Sequence, residues 1–143
     1  MRWKLINDGP QRTFALVFEK GDEIVAEMTA FAAEQELSAS QFTGLGALSD
    51  VVLGFFDWET KDYRRIAVRE QVEVVSLVGD VTCGDGQPKL HPHIVVSKSD
   101  GAAMGGHLLE GHVRPTLEVI VTESPAHLRR RRDPETGLAL IDI

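Results

Sequence analysis

Leu90-His91-Pro92-His93-Ile94-Val95-Val96-Ser97-Lys98 and Ala102-Ala103-Met104-Gly105-Gly106-His107-Leu108-Leu109 are two segments of β character joined by Ser99-Asp100-Gly101. An Asp-Gly pair between apolar runs is turn chemistry, so the stretch reads as an antiparallel hairpin. Residues two apart on a strand project to one face, which sets the imidazoles of His91 and His93 side by side. Counting outward from Asp100, His93 and His107 each stand seven residues away, and a tight turn places them opposite one another. Cross-strand Cβ atoms about 4.5–5.5 Å apart let such rings converge on one ion, with imidazole nitrogens roughly 2.0–2.1 Å from zinc.

The candidate metal ligands are therefore His91, His93 and His107, three nitrogens with an open position for water, a substrate group or a residue from another subunit. Imidazoles favour zinc, and the ligand type also admits copper, nickel and iron(II). A plainer reading stands beside this one: histidines at i and i+2 also occur as polar residues on a solvated strand face, with Pro92 marking an edge. The glycines Gly105 and Gly106 would let another backbone approach closely or form a bulge that aims His107. His112 and His127 lack matching geometry and read as surface residues.

Working outward, Thr13 to Phe18 reads as a buried strand, and Gly21-Asp22 ends it. Asp22 is the expected N-cap of an amphipathic helix over about 22–37, because Ile24, Met28, Phe31 and Ala32 recur at helical spacing. Gln41 to Ala47 and Ser49 to Asp57 read as two β segments separated by a glycine bend. Tyr63 to Val68, the valine-rich Gln71 to Thr82, and Thr116 to Glu123 complete the β set. The expected fold class is α+β: a mainly antiparallel sheet of about six to eight strands, with one main helix packed on one face.

The 143 residues, 43% hydrophobic and 26% charged, suit a single domain over 1–143, with a core of about 12–124 and an Arg-rich tail over 125–143. Alternating Leu138, Leu140 and Ile141 could lay that tail, otherwise mobile, against a neighbour. A lone cysteine, Cys83, excludes an internal disulfide and multi-cysteine zinc or iron–sulfur sites, and points to a reducing cytoplasm. The first ten residues lack the apolar core of a signal peptide, and no apolar run reaches the roughly 20 residues of a membrane span. The expectation is a cytoplasmic protein without membrane contact.

Net charge is −7 at pH 7, which opposes broad phosphate binding. Residues 1–128 hold eleven of the fifteen basic and nineteen of the twenty-two acidic residues, so Arg129 to Arg132 form the one local basic cluster. Gly44-Leu45-Gly46-Ala47-Leu48-Ser49 lacks the last glycine and the context of a dinucleotide fingerprint, and no phosphate-loop motif occurs. Cys83 reads as a small apolar filler at a strand end more readily than as a thiolate nucleophile. Glu118, a carboxylate in an apolar strand, either faces solvent or sits near the histidines as a base; solvent is the favoured reading.

Three stretches carry a family resemblance: Gly44 to Leu53, Val72 to Val81, and His91-Pro92-His93 followed by Gly105-Gly106-His107-Leu108. Over about Thr13 to Glu123 the chain resembles the plants and prokaryotes conserved domain (PPC or PCC) of the stand-alone bacterial type, and Arg132-Asp133-Pro134-Glu135-Thr136-Gly137 resembles a tail of bacterial members. The resemblance implies an antiparallel α+β fold assembled as a homotrimer, a metal ion on the histidines matching His91, His93 and His107, and the DNA-binding label the family customarily carries. No Arg-Gly-Arg-Pro AT-hook is present, so direct DNA contact falls to the arginine tail. Three functions follow as expectations. The first is a metal-binding, oligomerising regulatory module. The second is a DNA-associated regulator, or one bound to a regulatory protein, acting through Arg129 to Arg132. The third is a small zinc-dependent enzyme or ligand-binding protein using the same histidines, for which no catalytic base is identified.

Overall fold

The computed structural model describes residues 1–143 as nine strands and one helix. In chain order these are β1 (Arg2–Asn7), β2 (Arg12–Phe18), α1 (Ile24–Glu34), β3 (Ala39–Asp57), β4 (Asp62–Val68), β5 (Val72–Gly84), β6 (Gln87–Ser97), β7 (Ala103–Glu123), β8 (Arg129–Arg132) and β9 (Ala139–Asp142). The α+β class, the dominance of antiparallel pairing and the single helix agree with expectation. The strand count differs because β1 and the two tail strands carry weak local signals, while two pairs of expected strands merge into one strand each.

Those merged strands position the site. β3 runs 19 residues where the glycine-rich bend was expected to divide it. The glycines are accommodated as register shifts against β5 between Gly44 and Gly46, and against β7 between Gly46 and Leu48. Gly46 is required there, since a Cβ would fall 2.3 Å from the Thr116 carbonyl oxygen and 2.6 Å from Leu117 Cα. β7 likewise runs 21 residues and pairs with β2, β3 and β6 in turn. Because β3 pairs with both β5 and β7, and β6 bridges β5 to the start of β7, these four strands close into a ring.

Alternation along the strands sends Leu77, Val81, Ile94, Val96, Leu108, Val119 and Val121 into one buried cluster. Helix α1 adds Ile24, Met28, Phe31 and Ala32 to it, covering one face as expected. Phe14, Phe31 and Trp3 pack edge to face at centroid separations of 5.3–5.9 Å.

The helix cap departs from expectation by one residue. The Glu23 carboxylate, not that of Asp22, accepts from the free amides of Val25 (3.2 Å) and Ala26 (2.7 Å). Glu23 also accepts from Gly111 N of β7 at 3.0 Å, a tertiary bond that local sequence cannot reveal. Asp22 instead accepts from the Glu19 amide in the preceding turn.

The tail folds back on its own sheet. Cys83 N donates to Leu128 O at 2.9 Å, Arg129 pairs in parallel with Cys83, and β8 and β9 form an antiparallel hairpin. Leu140 and Ile141 remain exposed on it. No helix is long and apolar enough to cross a membrane.

Candidate metal centre

The β6–β7 hairpin forms as its turn dictates. Gly101 adopts φ +84°, the Asp100 carboxylate accepts from Ala102 N at 2.9 Å, and Lys98 N donates to Ala102 O at 2.9 Å. The turn fixes the register, and His93 is paired with His107. That pair is the last rung before β6 and β7 diverge, and His91 lies two residues further along β6, opposite Asp80 of β5.

The three rings meet. Centroids are 5.1 Å apart for His91 and His93, 5.4 Å for His91 and His107, and 5.3 Å for His93 and His107. One nitrogen from each lies within 4.8 Å of the others, a span that ring rotation closes onto one ion at bonds of roughly 2.0–2.1 Å. Gly106 serves the close approach expected of it, since a Cβ there would fall 2.8 Å from the Gly54 carbonyl oxygen. Gly54, opposite His107, leaves room for the Tyr63 ring of β4, which packs on His107 at 4.7 Å between centroids.

His107 Nδ1 is buried and has no hydrogen-bond partner. An orphaned ring nitrogen costs about 1–3 kcal/mol unless something supplies the missing bond. Burial, then the positive fields of His91 and His93, push the His107 pKa down to about 4. Burial, then His91, likewise lowers that of His93. Both rings are therefore neutral at pH 7, the form that ligates a metal. Two imidazoles held neutral beside a third, one of the two with an unmet polar atom, fit a zinc-type cation.

Sequence reasoning missed the groups around this trio. Asp80 Oδ2 stands 3.6 Å from His91 Nδ1, longer than a hydrogen bond but close enough for its charge to act on the ring. Burial would raise the Asp80 pKa, but contacts from His91 and Arg130 overcome it and hold the carboxyl below its usual range. Arg130 reaches in from β8 with its side chain only 7% exposed. Its Nε donates to Thr82 Oγ1, and its terminal nitrogens donate to Ala139 O and Asp80 Oδ1, each at 2.6 Å. The nitrogen bound to Asp80 also lies 3.3 Å from His91 Nδ1. An acid two residues before Thr82, on the strand face opposite Val81, was the available signal for Asp80. Nothing in a run of four arginines singles out the second.

A cleft of about 190 Å³ opens beside His91 and His107. Tyr63, Lys89 and Arg130 border it, with Leu90 and residues 138–140 of the tail hairpin.

The other candidates lie elsewhere. Glu118 is exposed, in keeping with the solvent reading. Cys83 sits half-buried at the end of β5. His112 is held by Asp50 at 2.8 Å and His127 by the Ser38 hydroxyl at 2.5 Å; neither joins the trio.

A family model described as the Plants and Prokaryotes Conserved (PCC) domain matches residues 6–125. A crystal structure of a candidate DNA-binding protein from Bacteroides thetaiotaomicron is 30% identical and superposes with a TM-score of 0.88, covering 98% of this chain and 96% of that one. A metal-containing protein from Archaeoglobus fulgidus is also 30% identical, with a TM-score of 0.85 and coverage of 99% and 97%. The bifunctional protein GlmU of Synechococcus sp. (strain JA-3-3Ab) is 32% identical over 138 residues; these make up 94% of this chain and 21% of that protein. The chain thus spans about one fifth of the length of this curated relative.

Proposed function

The chain belongs to the Plants and Prokaryotes Conserved (PCC) domain family, and from that premise we propose that it is a homotrimeric regulatory module whose subunits each hold a zinc ion on His91, His93 and His107. The observation that carries the reading is the convergence of one nitrogen from each ring to within 4.8 Å. The relative described as metal-containing supports it. When bound, zinc would complete the His107 environment and present an open position to the adjacent cleft. Metal analysis of untagged protein tests the site. Near-stoichiometric zinc that disappears in His107→Ala supports it, and a metal-free wild type purified without chelator refutes it.

The trimer is supported by an uncovered apolar row on the outward sheet face. Leu45, Val75, Val78, Val95 and Ile120 are 39–64% exposed. Val78 pairs with both Thr43 and His93, and Thr43 pairs with Ile120, so the row runs up to the histidines. Continuous exposed apolar surface of this kind favours association with a like surface. Light scattering should give three chains per particle and a smaller species for Val78→Glu; a monomeric wild type overturns the assembly.

A DNA-associated role rests on the tail, and the relative described as a candidate DNA-binding protein favours it. Arg129, Arg131 and Arg132 are exposed on the β8–β9 hairpin, Arg131 pairing with Asp142 at 3.1 Å, whereas Arg130 is engaged internally. Three such arms on a trimer would act through linked weak contacts in the cytoplasm. Salt-sensitive retention on DNA that is lost when those three arginines become glutamine supports this role, and no retention at low salt rejects it.

A further inference from the structure

The cleft beside the histidines has a cationic end and an apolar body, and together these define an occupant. Lys89 opposes Thr82 and shares the outward face of β6 with His91 and His93. It takes part in none of the protein's ion pairs. Arg130, the other cation of the cleft, is already bound to Asp80, Thr82 and Ala139. One free positive charge therefore stands next to the histidine trio. The remaining wall is the ring of Tyr63 with Leu90, Leu138, Ala139 and Leu140.

We propose that this cleft binds a short apolar monocarboxylate, its carboxylate held between Lys89 and the ion on the histidines and its hydrocarbon part packed against Tyr63, Leu90, Leu138 and Leu140. The inference rests on the metal reading of the site. Size follows from volume: a cavity of roughly 150 Å³ accepts benzene, so a cleft of about 190 Å³ suits an occupant on the order of six to nine heavy atoms. Charge follows from the count of partners. With Asp80 and Arg130 paired to each other, a single free lysine beside the ion gives each oxygen of one carboxylate a partner and leaves no further free cation for a phosphate ester or dianion. The apolar walls gain from a hydrocarbon tail and offer a sugar or nucleotide few hydrogen bonds. The tail hairpin forms part of the cleft, so an occupant would also hold residues 138–140 in place.

Calorimetric titration of the zinc-loaded full chain with hexanoate tests the proposal, with zinc content measured on every sample. Hexanoate should bind at one site per zinc. Its Kd should weaken about tenfold in Lys89→Gln and by tenfold or more for hexanol or in metal-stripped protein, the loss of a charge-assisted contact in each case. Leu140→Trp should abolish binding by filling the apolar end while leaving zinc content unchanged, and hydrogen exchange over 133–143 should slow with hexanoate only in the wild type. Wild-type protein that takes up no zinc on loading refutes the metal reading and this inference with it. Samples that hold zinc yet bind no hexanoate, or bind it equally well after Lys89→Gln or with hexanol in its place, overturn this inference alone.

Discussion

Replacing His107 by alanine separates a metal site from a decorative cluster of histidines, because the two readings predict opposite responses to zinc. In the metal-free protein the wild type carries a buried ring nitrogen without a partner, a cost of about 1–3 kcal/mol. Truncation removes that cost but also loses the packing of the ring on Tyr63 at 4.7 Å. The two offset, and the metal-free proteins should differ by no more than about 1–2 kcal/mol. With free zinc at a thousand times its Kd, linkage stabilises the wild type by about 4 kcal/mol. For a chain of this size that raises Tm by roughly 10–15 °C. The variant, left with His91 and His93, should show little shift at the same zinc concentration. Circular dichroism melts at one fixed protein concentration, with and without zinc, measure all four states. A zinc-induced rise of the same size in His107→Ala would show that the stabilising ion sits elsewhere, and the site as described would fall.

Other perturbations address the surroundings of the site. Asp80→Asn keeps an acceptor for Arg130 but removes its counter-charge and the charge facing His91, so the metal-free protein should melt at a lower temperature, and zinc affinity measured by chelator competition on the folded variant should drop about 10–100-fold. The depressed pKa of His107 has a signed consequence. Between the ordinary histidine value near 6.5 and about 4 the unfolded chain binds a proton that the folded one does not, so His107 favours folding above this window and that advantage is lost as pH falls through it. The metal-free wild type should therefore lose more urea stability from pH 7 to pH 4.5 than His107→Ala does. His112, which the Asp50 hydrogen bond shifts upward, titrates in the opposite sense in both proteins and cancels. Equal pH dependence in the two would contradict the assignment. Gly46→Ala forces a Cβ against the Thr116 carbonyl and should cost about 1–3 kcal/mol in chemical denaturation; a neutral result would mean that β3 and β7 lie further apart than described.

The histidine trio was legible because its geometry is local. A turn that fits Asp100 and Gly101 fixes the register of β6 and β7, and counting from it delivers the observed pairing of His93 with His107. Alternation places His91 on the same face as His93 without any tertiary information. The single helix and the antiparallel sheet were legible for the same reason, since periodicity is a short-range signal. Where a choice depended on a distant partner, local reading failed. Asp22 and Glu23 are both credible caps by type, and the amide of Gly111 from β7 decides in favour of Glu23.

The same limit explains why the supporting shell stayed hidden. Arg130 meets Asp80 and Thr82 across some fifty residues of chain, and Tyr63 reaches His107 only because Gly54 leaves space between β4 and β7. The continuity of β3 and β7 is itself a tertiary outcome. Glycines that read as breaks in isolation become register shifts once neighbouring backbones supply hydrogen bonds on both sides. This changes the meaning of the basic tail. Four consecutive arginines read as one charged arm, yet the fold assigns the second to Asp80 beside a candidate metal ligand and leaves the other three outward. Replacing all four together would therefore confound nucleic-acid contact with the integrity of the histidine site, and only variants that spare Arg130 can tell the two apart.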